Sequence, residues 1–264
     1  MPKQKLRRFG EIKEMDFVLE YPYSVLERED FPYKGKWRED FFQTPHPLVL
    51  ELGCGGGEYT VALAEREPMT SFVGVDRKGD RIWRGAKEVQ EKRLRNVAFL
   101  RTDINIIDRF FEKEEVDALW ITFPDPMMKK SRRRLISSYY FEKYRRFLKQ
   151  EAMIRLKTDS PFLYQYTLDL LEVNSISPRY ATNDLYNSPL EIQEAAIPDV
   201  RTRYEQQWLE RGMSIKFIAF SLPLSEVSFK EPPNEPPRDD YRSLCRGSQK
   251  YQEEIAKKIR GEKE

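Results

Sequence analysis

Leu48-Val49-Leu50-Glu51-Leu52-Gly53-Cys54-Gly55-Gly56-Gly57 decides the fold of this chain. A short apolar run is interrupted by one acid and breaks into glycines. The run reads as a buried strand. Glycines at 53, 55 and 57 let the backbone turn sharply and bring it close to a ligand. A dinucleotide-binding turn of the form G-x-G-x-x-G requires glycine at position 58, which is Glu58 here. The acids Glu51 and Glu58 flank the turn. They repel phosphates but suit the cationic ammonium and sulfonium groups of S-adenosylmethionine.

Outward from this stretch, strands and helices alternate. A helix is expected over Tyr59 to Arg66, a strand over Phe72 to Val75, a helix over Arg81 to Lys92 and a strand over Val97 to Leu100. A strand over Ala118 to Phe123 and a helix over Tyr139 to Leu148 follow. Then come a strand over Met153 to Leu156 and a helix over Phe162 to Val173. Such alternation predicts a Rossmann-like α/β fold, a mostly parallel sheet with helices on both faces. A helix over Thr202 to Arg211 and a strand over Ile215 to Ser221 add a late hairpin-like element. In open sheets of this kind the ligand lies beyond the carboxyl ends of the strands.

The flanks differ in composition. Residues 1–46 form an aromatic-dotted arm with a basic patch at Lys3, Lys5, Arg7 and Arg8, residues 47–222 the domain of alternating strands and helices, and residues 223–264 a tail. The tail opens as a linker on Pro232-Pro233 and Pro236-Pro237 and closes on a charged helical stretch, Gln249 to Arg260. The net charge of the 264 residues is only +2, so any case for nucleic acid rests on where the charge sits. Two distant cysteines, Cys54 and Cys245, imply no disulfide framework and a reducing compartment. A single histidine, His46, excludes a histidine-based metal site, and no metal is expected. No apolar run reaches the ~18 residues of a membrane span, so a cytoplasmic protein is expected.

Three successive strand ends carry acids. Besides Glu51, Asp76 is placed to accept bonds from ribose hydroxyls and Asp103 to meet the exocyclic amine of adenine. Each alone could be a helix cap or turn residue; the ordered set fits one nucleoside. The next strand ends in Phe123-Pro124-Asp125-Pro126, whose prolines hold the carboxylate in one orientation. Lys129-Lys130-Ser131-Arg132-Arg133-Arg134 follows, a density of cations suited to phosphates. Lys157-Thr158-Asp159 closes the fifth strand. Thr202-Arg203-Tyr204-Glu205 has the spacing of a capping box, which is a sufficient structural account by itself.

These residues resemble the bacterial tRNA (guanine-N(7)-)-methyltransferases. The resemblance runs from Leu48 to Leu222 and is carried by the glycine turn, Asp76, Asp103, Phe123-Pro124-Asp125-Pro126, Lys129, Lys157-Thr158-Asp159 and the Thr202 to Glu205 segment. It implies a seven-stranded methyltransferase sheet. It also implies methyl transfer from S-adenosylmethionine to N(7) of guanine 46 in the variable loop of tRNA, with no required protein partner. It assigns Glu51, Asp76 and Asp103 to the cofactor, and Asp125 to both cofactor and catalysis. Lys129, Asp159, Thr202, Arg203, Tyr204 and Glu205 are assigned to the guanine nucleotide. Tyr204, Phe9 or Trp37 is a candidate to stack on the base. Met127 stands where the family usually has tryptophan, and Ser131-Arg132 stands near the place of the family's Arg-His pair. Two other readings are an amino-methyltransferase, whose loop commonly reads D/N-P-P-Y/F, and a non-catalytic RNA-binding subunit that keeps the fold.

Overall fold

The computed structural model describes residues 2–223 and 228–239. Cys245 and the helical stretch expected over Gln249 to Arg260 lie outside the described residues. Eight strands form one sheet: β1 (Val18–Glu20), β2 (Leu48–Leu52), β3 (Ser71–Asp76), β4 (Val97–Arg101), β5 (Val116–Thr122), β6 (Leu148–Thr158), β7 (Tyr180–Thr182) and β8 (Lys216–Ser221). Their spatial order is β1-β4-β3-β2-β5-β6-β8-β7. β1 through β6 run parallel, and β8 is antiparallel to both neighbours. The helices are α1 (Pro2–Lys13), α2 (Tyr23–Leu26), α3 (Glu58–Arg66), α4 (Gly79–Lys92), α5 (Ser138–Tyr144), α6 (Pro161–Val173), α7 (Leu190–Ala196) and α8 (Arg203–Leu209). None of the described helices is long and apolar enough to cross a membrane.

The sheet is covered on both faces, as a parallel sheet must be. Along β2, Leu48, Leu50 and Leu52 join one core with Trp37, Phe111, Phe141 and Tyr166. Val49 faces the other core with Tyr59, Phe99 and Trp120. Strand order reverses between β2 and β5, and this leaves a crevice at their carboxyl ends.

The sheet has eight strands where seven were expected, because the arm supplies one. Val18, Leu19 and Glu20 pair with Phe99, Leu100 and Arg101 at the β4 edge. Glu115 anchors the arm by accepting from the N–H groups of Gly35 (2.9 Å) and Trp37 (3.1 Å). Arg38 donates to Asp117 at 2.5 Å. Trp37 is fully buried, stacked on Phe111 at 5.4 Å between centroids, and cannot reach a substrate base.

The helix expected over Tyr139 to Leu148 ends at Tyr144. Phe147 and Leu148 are apolar because they join the sheet: the Phe147 carbonyl accepts from Val116 N–H at 3.0 Å, and Leu148 pairs with Val116. α8 stops at Leu209, where Gly212 turns the chain at φ +73°.

Gly57, at the mouth of α3, has φ +75°, and a Cβ there would lie 2.7 Å from the Phe99 ring. Gly57→Ala combines left-handed strain with overpacking, and urea unfolding should show a loss of about 2–4 kcal/mol.

Candidate active site

Every residue of β2 is buried, so Glu51 places a carboxylate inside an apolar strand. Such a group needs hydrogen bonds. The Thr122 hydroxyl at the end of β5 donates to it at 2.5 Å, and the Thr60 hydroxyl of α3 also donates. Burial still dominates and pushes the Glu51 carboxyl above its ordinary range, against the threonine bonds. Cys54 is buried beside it. Burial, then the charges of Glu51 and Asp76, holds the thiol well above its usual range.

The turn after β2 runs through Gly53, Gly55 and Gly57, all at positive φ. Gly53 and Cys54 N–H donate to the Val75 carbonyl at 2.8 and 3.1 Å. Asp76, half-buried at the end of β3, accepts from the N–H of Gly55 (3.0 Å) and of Lys78 (2.7 Å). The carboxylate thus shapes the glycine turn and keeps further lone pairs for hydroxyl donors. Asp103 is exposed just past β4 and caps the following 3₁₀ turn by accepting from Asn105 N–H at 3.0 Å.

A cavity of about 610 Å³ opens over this turn. Glu51, Gly53, Gly55, Asp125, Thr202 and Tyr204 line it, together with Thr122 and Phe123. Asp76 adjoins the lining through its bond to Gly55. Asp103, Lys129, Asp159, Arg203 and Glu205 lie outside the lining. Asp125 is exposed, and its Oδ1 accepts from Met127 N–H at 3.2 Å. The loop that carries it bends at two non-glycine residues of positive φ, Phe123 (+49°) and Met127 (+44°). Tyr204 packs on Phe123 with ring centroids 5.5 Å apart.

Thr202 caps α8, its hydroxyl accepting from Glu205 N–H at 3.1 Å; this is the N-cap half of the expected capping box, the Glu205 carboxylate turning to other partners instead of back to Thr202 N–H. Glu205 is fully buried, paired with Lys157 at 2.8 Å and accepting from Tyr186 OH at 2.6 Å. Burial lowers the Lys157 ammonium, and Glu205 raises it. Asp159 is also fully buried, and its carbonyl accepts from Lys216. Arg203 is exposed, and its N–H donates to Glu58 at 2.7 Å. Lys129, Lys130, Arg132 and Arg133 are exposed beside the Asp125 loop. Arg134 is completely buried and so cannot hold an external phosphate, which corrects the reading of the whole run as phosphate-binding.

Arg8, Asp80, Arg81 and Arg84 also reach the cavity, beyond the residues expected there from the sequence. Arg8 arrives because α1 packs on α4: its guanidinium lies 4.7 Å over Trp83, whose indole N–H donates to Glu11 at 2.7 Å. Phe9 packs under Arg101 in the same region, 4.5 Å from its guanidinium, rather than in the cavity. Arg81 and Arg84, three apart and next to the second-strand acid, were the available signal.

A doubly wound sheet with an acid, a glycine turn and a proline-held carboxylate at its reversal point defines the class of Rossmann-like S-adenosylmethionine-dependent methyltransferases. The donor set fits that cofactor: a buried carboxylate for a cation, glycines that admit close approach, and arginines at the mouth for a carboxylate. The protein family described as "Putative methyltransferase" matches residues 45–218. A tRNA (guanine-N(7)-)-methyltransferase of Bacteroides thetaiotaomicron is 48% identical over 93% of this chain and 96% of its own. One of Porphyromonas gingivalis is 49% identical over 87% of this chain and 94% of its own. One of Clostridium acetobutylicum is 31% identical over 76% of this chain and 92% of its own. The chain belongs to the tRNA (guanine-N(7)-)-methyltransferase family.

Because the Glu51 carboxyl is raised in the folded state, its ionisation costs stability as pH climbs above the ordinary value of 4.5. Glu51→Gln without cofactor should therefore match the parent's thermal stability below that pH and exceed it at pH 7. Its affinity for S-adenosylmethionine, measured by calorimetry, should fall at least ~10-fold, or about 1.4 kcal/mol.

Proposed function

We propose that this chain methylates N(7) of guanine 46 in the variable loop of tRNA, in the cytoplasm where tRNA is found. The observation that carries the reading is the convergence of Glu51, the glycine turn, Asp125 and Tyr204 on one cavity beside four exposed cations. Relatives that align along almost the whole chain bear the name tRNA (guanine-N(7)-)-methyltransferase, which supports the tRNA and N(7) parts of the reading.

Bound S-adenosylmethionine supplies an electrophilic methyl group on a sulfonium. Glu51 provides the negative charge for its ammonium end, Asp76 acceptors for its ribose, and Asp103 an acceptor near the adenine. Gly53 and Gly55 let the backbone approach. The N(7) atom of guanine carries an in-plane lone pair and no proton, so no general base is required. The protein supplies alignment and charge complementarity. Asp125 accepts from the N–H edge of the base, and its fixed charge stabilises the positive charge that moves onto the ring. Tyr204 offers an aromatic face at the mouth, with Thr202 and Arg203 beside it. Lys129 and its exposed neighbours hold phosphates. In this arrangement Glu205 and Asp159 shape the guanine side from beneath, since both are buried.

Asp125→Ala should remove methyl transfer to unmodified tRNA while calorimetric cofactor binding persists. A parent-like rate would refute the role of Asp125, and mass spectrometry of nuclease fragments locates the methylated nucleoside. Arg132→Glu with Arg133→Glu should weaken tRNA binding and reduce the salt slope by about 0.7–0.9 for each phosphate no longer neutralised. An unchanged slope would mark these arginines as plain surface.

A further inference from the structure

Residues 228–239 lie along α5 and α6 and return to the Asp125 loop. Phe229 N–H donates to Glu142 at 2.9 Å, and its ring meets Phe141 edge-on at 5.5 Å. Lys230 and Asn174 exchange two hydrogen bonds, of 2.7 and 2.8 Å. Glu231 accepts from Ser138 N–H at 2.8 Å and from Tyr166 OH at 2.5 Å. Asp239 accepts from Phe162 N–H at 2.9 Å and from the Ser160 hydroxyl. Four prolines between these anchors lack N–H groups and restrict φ, which keeps the segment from coiling into a helix.

In the middle of this segment, Glu235 accepts from Arg134 at 2.6 Å. Arg134 is fully buried, its guanidinium over the rings of Phe162 (4.8 Å) and Tyr166 (4.3 Å). Its Nε donates to the Pro126 carbonyl at 3.1 Å and its Nη2 to the Met128 carbonyl at 3.3 Å. Those carbonyls bracket Met127, the non-glycine residue at φ +44° whose N–H is bonded to Asp125. Strained backbone of this kind persists only where its surroundings hold it. Among the described residues Glu235 is the carboxylate in ion-pair contact with this buried cation, and the Nη1 of Arg134 is buried with no hydrogen-bond partner of its own.

We infer that Glu235, acting through Arg134, is a positioning residue for Asp125: it locks the guanidinium that fixes the Pro126–Met128 turn and thereby the direction of the catalytic carboxylate. This inference rests on the assignment of Asp125 made above. Without Glu235 the unbalanced guanidinium turns toward water, the two carbonyls are released, and Met127 relaxes.

The test is Glu235→Ala in the full chain, with Glu235→Gln, which keeps an acceptor, as the conservative partner. Amide hydrogen exchange over residues 125–130 should rise about tenfold in Glu235→Ala. The kcat for tRNA methylation should fall about tenfold, with the KM for tRNA and the cofactor Kd within about twofold of the parent. Glu235→Gln should recover most of both losses. Parent-like exchange over 125–130 overturns the inference, as does a parent-like kcat, even if Tm falls. Exchange is read without turnover, so a parent chain that transferred no methyl group would refute the activity reading while the exchange result still decided the loop-holding role.

Discussion

A carboxyl group inside a wholly buried strand is the constraint around which this molecule is arranged. Glu51 sits where β2 ends, and it is tolerable only because Thr60 reaches it from α3 and Thr122 from β5. The two hydroxyls tie α3 and β5 to the floor of the cavity. The glycine turn then follows from geometry, since α3 must begin within a few residues of β2 for Thr60 to arrive. Acid, turn and helix mouth form one unit, whose order is set by the strand rather than by the ligand.

Around that unit the chain is closed from two sides by segments outside the alternating core. On one side α1 lies on α4 and delivers Arg8 to the rim, while β1 extends the sheet. On the other, residues 228–239 cross α5 and α6 and grip the loop beyond β5. Both closures use charge-bearing side chains, so part of the charge of a protein whose net charge is only +2 serves internal fastening.

The parallel sheet and the strand-end acids were legible because they rest on local patterns. Apolar runs of strand length, separated by helical spacing and ending in glycine or aspartate, read the same way in the chain and in space. The arm was not legible. Val18–Glu20 is too short to announce a strand, and Trp37 is core only because Glu115 and Phe111 lie beside it. The helix end at Tyr144 was hidden because Phe147 and Leu148 continue its apolar spacing while serving β6. Arg134 reads like its exposed neighbours, and Phe162 and Tyr166, about thirty residues on, cover it. Glu205 falls between the two cases: the cap at Thr202 was plain from spacing, the ion pair beneath it was not.

The Lys157–Glu205 pair, with both side chains at 0% exposure, constrains how this lineage can vary. Replacing either partner alone strands the other charge in a dry interior, at a cost of about 3–5 kcal/mol. Exchanging both together for apolar side chains strands no charge and leaves the Tyr186 hydroxyl without its acceptor. The two positions are therefore epistatic, and descendants that abandon the lysine are expected to abandon the glutamate with it.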